Sequence, residues 1–235
     1  AIVHTLGSVD RFDTVVLLDC SEPDRVGNEA QKIKSVGRLI IIDHHRTNEE
    51  VPPLSLIDTA ASSTGELLVR LIDRLGVPLT RDVAVNIYTA LVTDTGSFRY
   101  SNTNREALEV AGLLLEQGGV NVWDVTEKLY ESQPRKRLEL LSEVLQTLEF
   151  IRDGQVASIT VTEEMYARTD TNAELTDGFV NYPRSVAGVE VAVLFRQVGA
   201  NRYKIGFRSK GKVNVASLAQ GFGGGGHHNA AGGMV

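Results

Sequence analysis

Three aspartates and a pair of histidines are the residues of this chain best suited to metal chemistry. Asp19 ends the apolar run VVLLD, Asp43 ends LIIID, and His44 and His45 follow Asp43 directly, while Asp94 ends the segment ALVTD. Carboxylates and imidazoles without thiols bind manganese, iron, zinc or cobalt, and an excess of carboxylates favours manganese or magnesium. Such ions neutralise phosphate oxygens and convert bound water into hydroxide, which is the chemistry of phosphate ester hydrolysis.

Each of these residues also has a simpler structural interpretation. A single aspartate after a strand usually caps a turn or a helix, and this alternative stays open for Asp19 and Asp94 taken singly. Two successive imidazoles beside a carboxylate are an awkward choice for packing, so the sequence Asp43, His44, His45 favours a site. An imidazole that faces a phosphate can stabilise charge on its oxygens or protonate the leaving oxygen.

The first half of the chain predicts the sheet that would position these residues. Short apolar runs at residues 14–19, 38–43 and 54–58 are typical of buried parallel strands. Helical spacing occurs at residues 25–36, 62–75, 82–91 and 105–116. Ligands of an open parallel sheet bind beyond the carboxyl ends of its strands, so Asp19 and Asp43 are expected to face one crevice. Ser62 or Ser63, with Glu66, is expected to form a capping box at the start of one helix.

The second half of the chain changes pattern. Residues 134–150 are amphipathic and predict a helix that leads to a second unit. Residues 156–161, 189–197 and 202–208 are typical of strands in a mixed or antiparallel sheet, with short helices near Glu163 and Val213.

Composition narrows the function classes. The chain has 235 residues, of which 42% are hydrophobic and 23% charged, as in a globular protein. Its net charge of -6 gives no general attraction to nucleic acid, so a long duplex is not an expected partner. The single cysteine, Cys20, excludes an intrachain disulfide, and no apolar run reaches membrane-spanning length. The start of the chain lacks signal-peptide features, so a cytoplasmic location is expected.

Four motifs in order resemble the DHH phosphoesterase family. They are LLDCSEPDR at 17–25, IIDHHRTN at 41–48, LVTDTGSFRYSNT at 91–103 and FGGGGHHNAAGG at 222–233. The resemblance implies an α/β fold, with an N-terminal parallel-sheet α/β/α DHH domain and a smaller C-terminal α/β domain with a mixed sheet. It places the catalytic domain at residues 1–127, a helical linker at 128–150 and the DHH-associated substrate-binding domain at 151–235.

The same resemblance assigns roles to the residues of the first domain. Asp19 is similar to the carboxylate that bridges two metals, and His44 and Asp94 to ligands of one of them. His45 is similar to the imidazole that faces the scissile phosphate, and Asp43 supports the metal shell or orients a histidine. The implied cofactor is Mn²⁺, two ions in the complete active site, with Mg²⁺ or Co²⁺ as alternatives.

In the second domain the resemblance implies a phosphate-binding surface that closes over the substrate. The glycine-rich loop would bring backbone amides to a phosphate, and arginine offers a planar donor fork to the same group. The implied substrate-binding residues are Gly224, Gly225, Gly226, His227, Arg208, Ser209 and Arg196, joined by Arg99 of the first domain. A flexible turn is the alternative for the glycines, and a solvated strand end is the alternative for Arg208.

This sequence departs from the family pattern at its start. The family has an Asp-x-Asp motif before the position of Asp19, whereas here only Asp10 and Asp13 precede it and His4 stands in no clear relation to them. We interpret this departure as truncation of the sequence at both ends. The alternative is natural loss of the motif, which would leave a nucleotide-binding module without catalysis.

Within the family the chain resembles the compact nanoRNase/pAp phosphatase branch. This branch implies hydrolysis of very short RNA and of 3'-phosphoadenosine 5'-phosphate. Hydrolysis of cyclic or linear dinucleotides is the alternative activity. The expected partners are therefore short RNA or small nucleotides, without a membrane, and a homodimer is possible from the resemblance.

Overall fold

A computed structural model of the chain describes residues 12–45 and 51–235. It divides into two compact units, residues 1–131 and residues 132–235. His4 and Asp10, which entered the argument about the missing first motif, lie outside the described residues. Within the described part of the chain, no helix is both long and apolar enough to cross a membrane.

The first unit contains a parallel sheet, as the alternation of strands and helices predicted. Its strands are β1 (Thr14–Leu18), β2 (Arg38–Asp43) and β3 (Leu54–Ile57), in the order β1-β2-β3. Leu18 pairs with Ile42, and Asp43 pairs with Ile57, so the strands end at nearly the same level. Because all three strands run the same way, Asp19, Asp43, His44 and His45 emerge at one edge of the sheet.

Helices cover both faces of this sheet and extend the unit. They are α1 (Ala30–Lys34), α2 (Thr64–Leu75), α3 (Arg81–Asp94), α4 (Arg105–Glu116) and α5 (Val122–Thr126), with a 3-10 segment at Pro23–Glu29 and a π segment at Glu127–Glu131. One sheet face buries Leu17 and Ile41 against Ile33 of α1. The other face buries Ile42 against Leu67 of α2. A further apolar core lies among α3, α4 and α5.

Two predicted helices have different bounds in the structure. The prediction of one helix at residues 25–36 is wrong over its first half, because Gly27, with a φ of 73°, interrupts the 3-10 segment Pro23–Glu29 and α1 begins only at Ala30. In contrast, α3 continues past residue 91 to Asp94. The hydroxyls of Thr89 and Thr93 donate to carbonyls in the preceding turn, which satisfies these polar side chains within the helix.

The second unit contains the mixed sheet that the sequence predicted. Its strands are β4 (Glu149–Ile151), β5 (Val156–Val161), β6 (Val191–Gly199), β7 (Arg202–Ser209), β8 (Gly225–His227) and β9 (Ala230–Met234), in the order β4-β5-β6-β7-β9-β8. Strands β5 and β6 are parallel, and the other pairs are antiparallel. The helices are α6 (Arg135–Leu145), α7 (Glu163–Thr169), α8 (Asn181–Ser185) and α9 (Val215–Gln220), with a 3-10 turn at Ala173–Thr176.

Helix α6 ends earlier than its amphipathic pattern predicted. The helix stops at Leu145, and part of the predicted helical segment forms strand β4 instead. Thr147 lies between the two elements, and its hydroxyl donates to Val144 O (2.7 Å) and accepts the N–H of Thr160 (2.8 Å). This tertiary contact ties the chain to strand β5 where a helical pattern would have continued.

Helix α6 is part of the hydrophobic core of the second unit. Leu140, Leu141 and Val144 pack with Ile159 of β5 and Leu194 of β6. On the opposite face of the sheet, helix α9 packs against β7 and β9. Helix α6 therefore belongs to the core of the second unit and stabilises it directly.

Two leucines of α6 test this assignment. Leu140 is fully buried, whereas Leu138 on the same helix is 60% exposed. We expect Leu140→Ala to lower the free energy of unfolding by about 2–5 kcal/mol, because it removes buried methyl groups and leaves a cavity. The matched Leu138→Ala is expected to change it by less than about 0.5 kcal/mol. Chemical denaturation of both variants is the measurement, and equal losses would contradict the packing described.

Candidate active site

Asp19 leaves strand β1 in a conformation that turns its carboxylate into the crevice at the strand ends. Its φ is 60°, in the left-handed region, which aspartate tolerates better than most residues. Its N–H donates to Ile42 O (3.0 Å), which extends the pairing with strand β2 by one residue. Its Oδ1 accepts the hydroxyl hydrogen of Thr64, at the start of α2, over 2.8 Å.

His44 presents one ring nitrogen to two carboxylates. Its Nδ1 lies 3.3 Å from Ala61 O, which can only accept, so Nδ1 carries the hydrogen and Nε2 carries the lone pair of the neutral ring. This Nε2 lies 3.6 Å from Asp19 Oδ1 and 3.7 Å from Asp94 Oδ2. Both distances exceed that of a direct hydrogen bond, so Nε2 lies near both carboxylates without a short contact to either.

His45 is oriented by Asp43. Its Nδ1 lies 2.6 Å from Asp43 Oδ1, which also accepts the backbone N–H of His45. The other oxygen, Oδ2, accepts the hydroxyl of Ser21 over 2.7 Å. Burial of Asp43 by itself raises its pKa, but the hydrogen bonds from Ser21 and His45 outweigh that effect and lower the pKa below its usual value. The buried carboxylate is thus held as an anion that fixes the imidazole ring.

Asp94 reaches the same crevice from the last turn of helix α3, whereas the helix predicted at residues 82–91 ended before it. The pKa of Asp94 is raised to about 6, chiefly by burial; the charge of Asp19 contributes to the rise, and the charge of His44 acts against it. A cation beside the two carboxylates would stabilise their ionised forms. The charge balance of the crevice therefore suits a metal ion.

The donor set is consistent with a divalent metal. Asp19, His44 and His45 each offer a ligand atom, and these atoms all lie within 4.8 Å of one another. Carboxylate and imidazole ligands without thiolate suit manganese, iron, zinc or cobalt. A cleft of about 260 Å³ adjoins this cluster, and its lining includes Asp19, Asp94, Thr64, Asn86, Thr93 and Leu68.

Three polar residues that the sequence analysis did not single out support the cluster. They are Ser21, Thr64 and Asn102. Asn102 Nδ2 donates to Ser62 O (3.0 Å) and to Asp94 O (3.1 Å), and so joins the start of α2 to the end of α3. Ser21 could have been found from the sequence, because it is a small polar residue only two positions after Asp19. The contact of Asn102 with Ser62 spans 40 residues of sequence, and local pattern gives no sign of it.

The glycine-rich segment of the second unit forms a hairpin rather than an open loop. Strand β8 pairs with β9 through Gly225–Gly232, Gly226–Ala231 and His227–Ala230. The N–H groups of Gly223 and Gly224 donate to Gln220 O and Ala219 O at the end of helix α9. The amide of Gly224, predicted to approach a phosphate, is therefore engaged within the fold.

Strand register places Arg208 and His227 in one row across the sheet. Arg208 of β7 pairs with Ala230 of β9, which pairs in turn with His227 of β8. Residues paired in this way point to the same face, so both side chains share a face with their backbones about 10 Å apart. Phe207 and Ala231 occupy the other face, where they pack against α9.

The remaining predicted substrate residues have structural contacts. Ser209 is buried, and its hydroxyl donates to Asn229 Oδ1 (3.0 Å) in the β8–β9 turn. Arg196 donates to Ala173 O (3.3 Å) and holds the 3-10 turn there. Arg99 donates from Nε to Gly96 O (2.7 Å), within the turn that follows Asp94. Substrate contact by these three residues stays a prediction.

The domain content of the chain agrees with this geometry. Residues 3–91 match the DHH family, N-terminal domain, and residues 153–235 match the DHHA1 domain. The chain contains a DHH domain followed by a DHHA1 domain. Asp19 and the Asp43, His44, His45 sequence lie in the DHH match, and Arg208 and His227 lie in the DHHA1 match.

DHH-family relatives match over nearly the whole chain. A bifunctional oligoribonuclease and PAP phosphatase NrnA of Thermus thermophilus is 36% identical over 93% of this chain and 64% of its own length. The protein of the same name from Bacillus subtilis is 27% identical over 100% of this chain and 75% of its own. The solved structure of an exopolyphosphatase-related protein from Bacteroides fragilis superposes with a TM-score of 0.86 at 34% identity, covering 94% of this chain and 66% of that one. The chain thus spans about two thirds of the Thermus and Bacteroides proteins.

The hairpin makes a test of its glycines possible. Gly226 has a φ of 145°, and a Cβ there would lie 2.5 Å from Ala230 O, whereas a Cβ at Gly225 meets nothing within 4 Å. We expect Gly226→Ala to cost about 1–3 kcal/mol of stability through backbone strain, with a further cost from the overlap. Gly225→Ala is the matched control and is expected to be nearly neutral. Thermal or chemical unfolding measures both, and an unaffected Gly226→Ala variant would rule out the hairpin.

Proposed function

We propose that the chain is the metal-binding and substrate-binding part of a phosphoesterase that hydrolyses very short RNA and 3'-phosphoadenosine 5'-phosphate. The observation that carries this proposal is the position of His44 Nε2, which lies 3.6 Å from Asp19 and 3.7 Å from Asp94 beside the oriented imidazole of His45. The names of the Thermus and Bacillus relatives support this substrate class.

The first unit would hold the metal through Asp19, His44 and Asp94. We propose Mn²⁺, two ions in the complete site, with Mg²⁺ or Co²⁺ as possible substitutes. A bound divalent ion supplies a water of lowered pKa and neutralises phosphate oxygens. The hydroxyl of Thr64 orients Asp19, and the carbonyl of Ala61 orients His44, so the ligands are held before a metal arrives.

Although His45 also belongs to the group of possible metal donors, we propose that it acts on the phosphate rather than on the metal. Its Nδ1–H donates to the buried carboxylate of Asp43, so Nε2 is the position where the ring gains or releases a proton. The Asp43 anion stabilises the protonated ring. His45 can therefore hold a proton for a phosphoryl or leaving oxygen and lower the negative charge that develops there.

The second unit would bind the phosphates of the substrate. Arg208 and His227 share one sheet face, and arginine offers paired donors to a phosphate. The Ser209–Asn229 hydrogen bond fixes the β8–β9 turn next to them. A nucleotide with phosphates at both ends is larger and more highly charged than inorganic phosphate, and it suits such a row of donors.

Hydrolysis by the full-length protein with Mn²⁺ tests the proposal. The substrates are 3'-phosphoadenosine 5'-phosphate, RNA of a few nucleotides and a cyclic dinucleotide, compared in parallel with Mn²⁺ affinity. We expect His45→Ala to keep Mn²⁺ affinity while kcat falls about 10²–10⁴-fold, because only proton transfer is removed. Asp19→Asn is expected to lose Mn²⁺ binding and turnover together.

The control for Asp19 is Asp24→Asn, since the Asp24 side chain is 67% exposed and pairs with Lys34. It is expected to leave affinity and turnover unchanged. If the protein prefers the cyclic dinucleotide, the proposed substrates are wrong and the substrate is a signalling nucleotide. Mn²⁺ binding without turnover of any of the three substrates would reject the enzyme and leave a nucleotide-binding protein.

A further inference from the structure

The loop between strand β3 and helix α2 contacts two of the proposed metal ligands. Ala61 O accepts from His44 Nδ1 (3.3 Å), and Thr64 donates its hydroxyl to Asp19 (2.8 Å). His44 follows β2 and Asp19 follows β1, so this one loop sets the positions of ligands that come from two strands. Any group that holds the loop would act on both.

Glu66 holds the peptide group that faces His44. Its Oε2 accepts the backbone N–H of Ser62 (2.9 Å) and the hydroxyl of the same residue (2.7 Å). The N–H of Ser62 and the carbonyl of Ala61 belong to one planar trans peptide, with the donor and acceptor pointing in opposite directions. A carboxylate on the N–H side therefore fixes the direction of the carbonyl that receives the His44 hydrogen, and polarises it.

This arrangement differs from the predicted capping box. Residue 63 is the N-cap of α2, and its side chain makes no capping hydrogen bond. Glu66 instead binds Ser62, one residue earlier, with the same oxygen used for both contacts. The carboxylate is thus directed at the peptide next to His44 and away from the N-cap amide that a capping box would satisfy.

Arg70 balances the buried charge of Glu66. The Glu66 side chain is fully buried, and its Oε1 accepts from Arg70 over 2.9 Å. The same guanidinium binds Asp58 (2.8 Å) and Glu106 (2.5 Å). Asp58 accepts the N–H of Ala60, so Arg70 holds the loop at a second point. Burying a carboxylate is costly unless it is paired in this way.

We infer that Glu66 is a positioning residue for the metal centre, acting on His44 through the peptide between Ala61 and Ser62. The hydrogen bonds form a series from the carboxylate through the peptide to the imidazole Nδ1–H, and leave Nε2 to face Asp19 and Asp94. Arg70 keeps Glu66 in place. The inference rests on the proposed metal site, and the test below separates the two.

Mn²⁺ affinity of the full-length protein, measured by calorimetry on folded samples, tests the inference. In Glu66→Gln the neutral amide offers a weaker acceptor to Ser62 and places an N–H₂ group toward Arg70. We expect the Kd for Mn²⁺ to rise about 10–100-fold, as for other groups that orient a ligand indirectly. The ¹⁵N NMR signals of His44 in the metal-free protein are expected to show a smaller Nδ1–H population.

The control is Glu109→Gln, which removes a carboxylate of α4 that pairs with Arg105 rather than with Arg70. We expect its Mn²⁺ affinity and its His44 tautomer to match those of the unchanged protein. Should Glu66→Gln fail to fold, Arg70→Lys serves instead, since it keeps the charge and loses the planar fork, and a raised Kd is again expected.

The outcomes separate the two proposals. An unchanged protein that does not bind Mn²⁺ would reject the proposed metal site. Mn²⁺ binding that is equally tight in the folded Glu66 or Arg70 variant, or weakened as much by Glu109→Gln, would overturn the role of Glu66 and leave the metal site standing.

Discussion

Mutual repulsion among carboxylates is the constraint on which the rest of the first unit depends. Asp19, Asp43 and Asp94 surround two imidazoles, and each carboxylate is accommodated differently. Asp43 is buried and receives hydrogen bonds from Ser21 and His45, which lower its pKa. Asp94 is desolvated and lies near Asp19, which raises its pKa to about 6. Hydrogen bonds from protein donors thus stabilise the Asp43 anion. A cation beside Asp19 and Asp94 would relieve the repulsion between those two carboxylates.

Meeting this constraint requires elements that are far apart in sequence. The crevice combines residues after β1, residues after β2 and the last turn of α3, with the β3–α2 loop between them. Thr64 and Asn102 link these elements through hydrogen bonds that span 45 and 40 residues. Ligand geometry is therefore a property of the whole unit. The pair of the buried Glu66 and the partly exposed Arg70 adjoins this loop.

Under the proposed function, the second unit has a different task, the binding of an anion by a sheet. Register alone aligns Arg208 and His227 on one face. The glycines near them permit close approach of backbone to backbone: a Cβ at Gly224 would overlap Gly232 O, and one at Gly226 would overlap Ala230 O. Their main structural effect is to let β8, β9 and the end of α9 pack tightly, and this packing holds His227 at the edge of the sheet.

The sequence by itself determined the parallel strands, the mixed second sheet, and the convergence of Asp19 with Asp43, His44 and His45. These features follow from local apolar runs and from the rule that parallel strands end at one edge. Only the tertiary structure decided that Asp94 ends a helix, that residues 149–151 form strand β4, that the glycine segment is a hairpin, and that Glu66 binds Ser62. Each of these depends on partners or on backbone angles that periodicity does not encode. Hydrogen bonds between distant residues become visible only when the chain is folded.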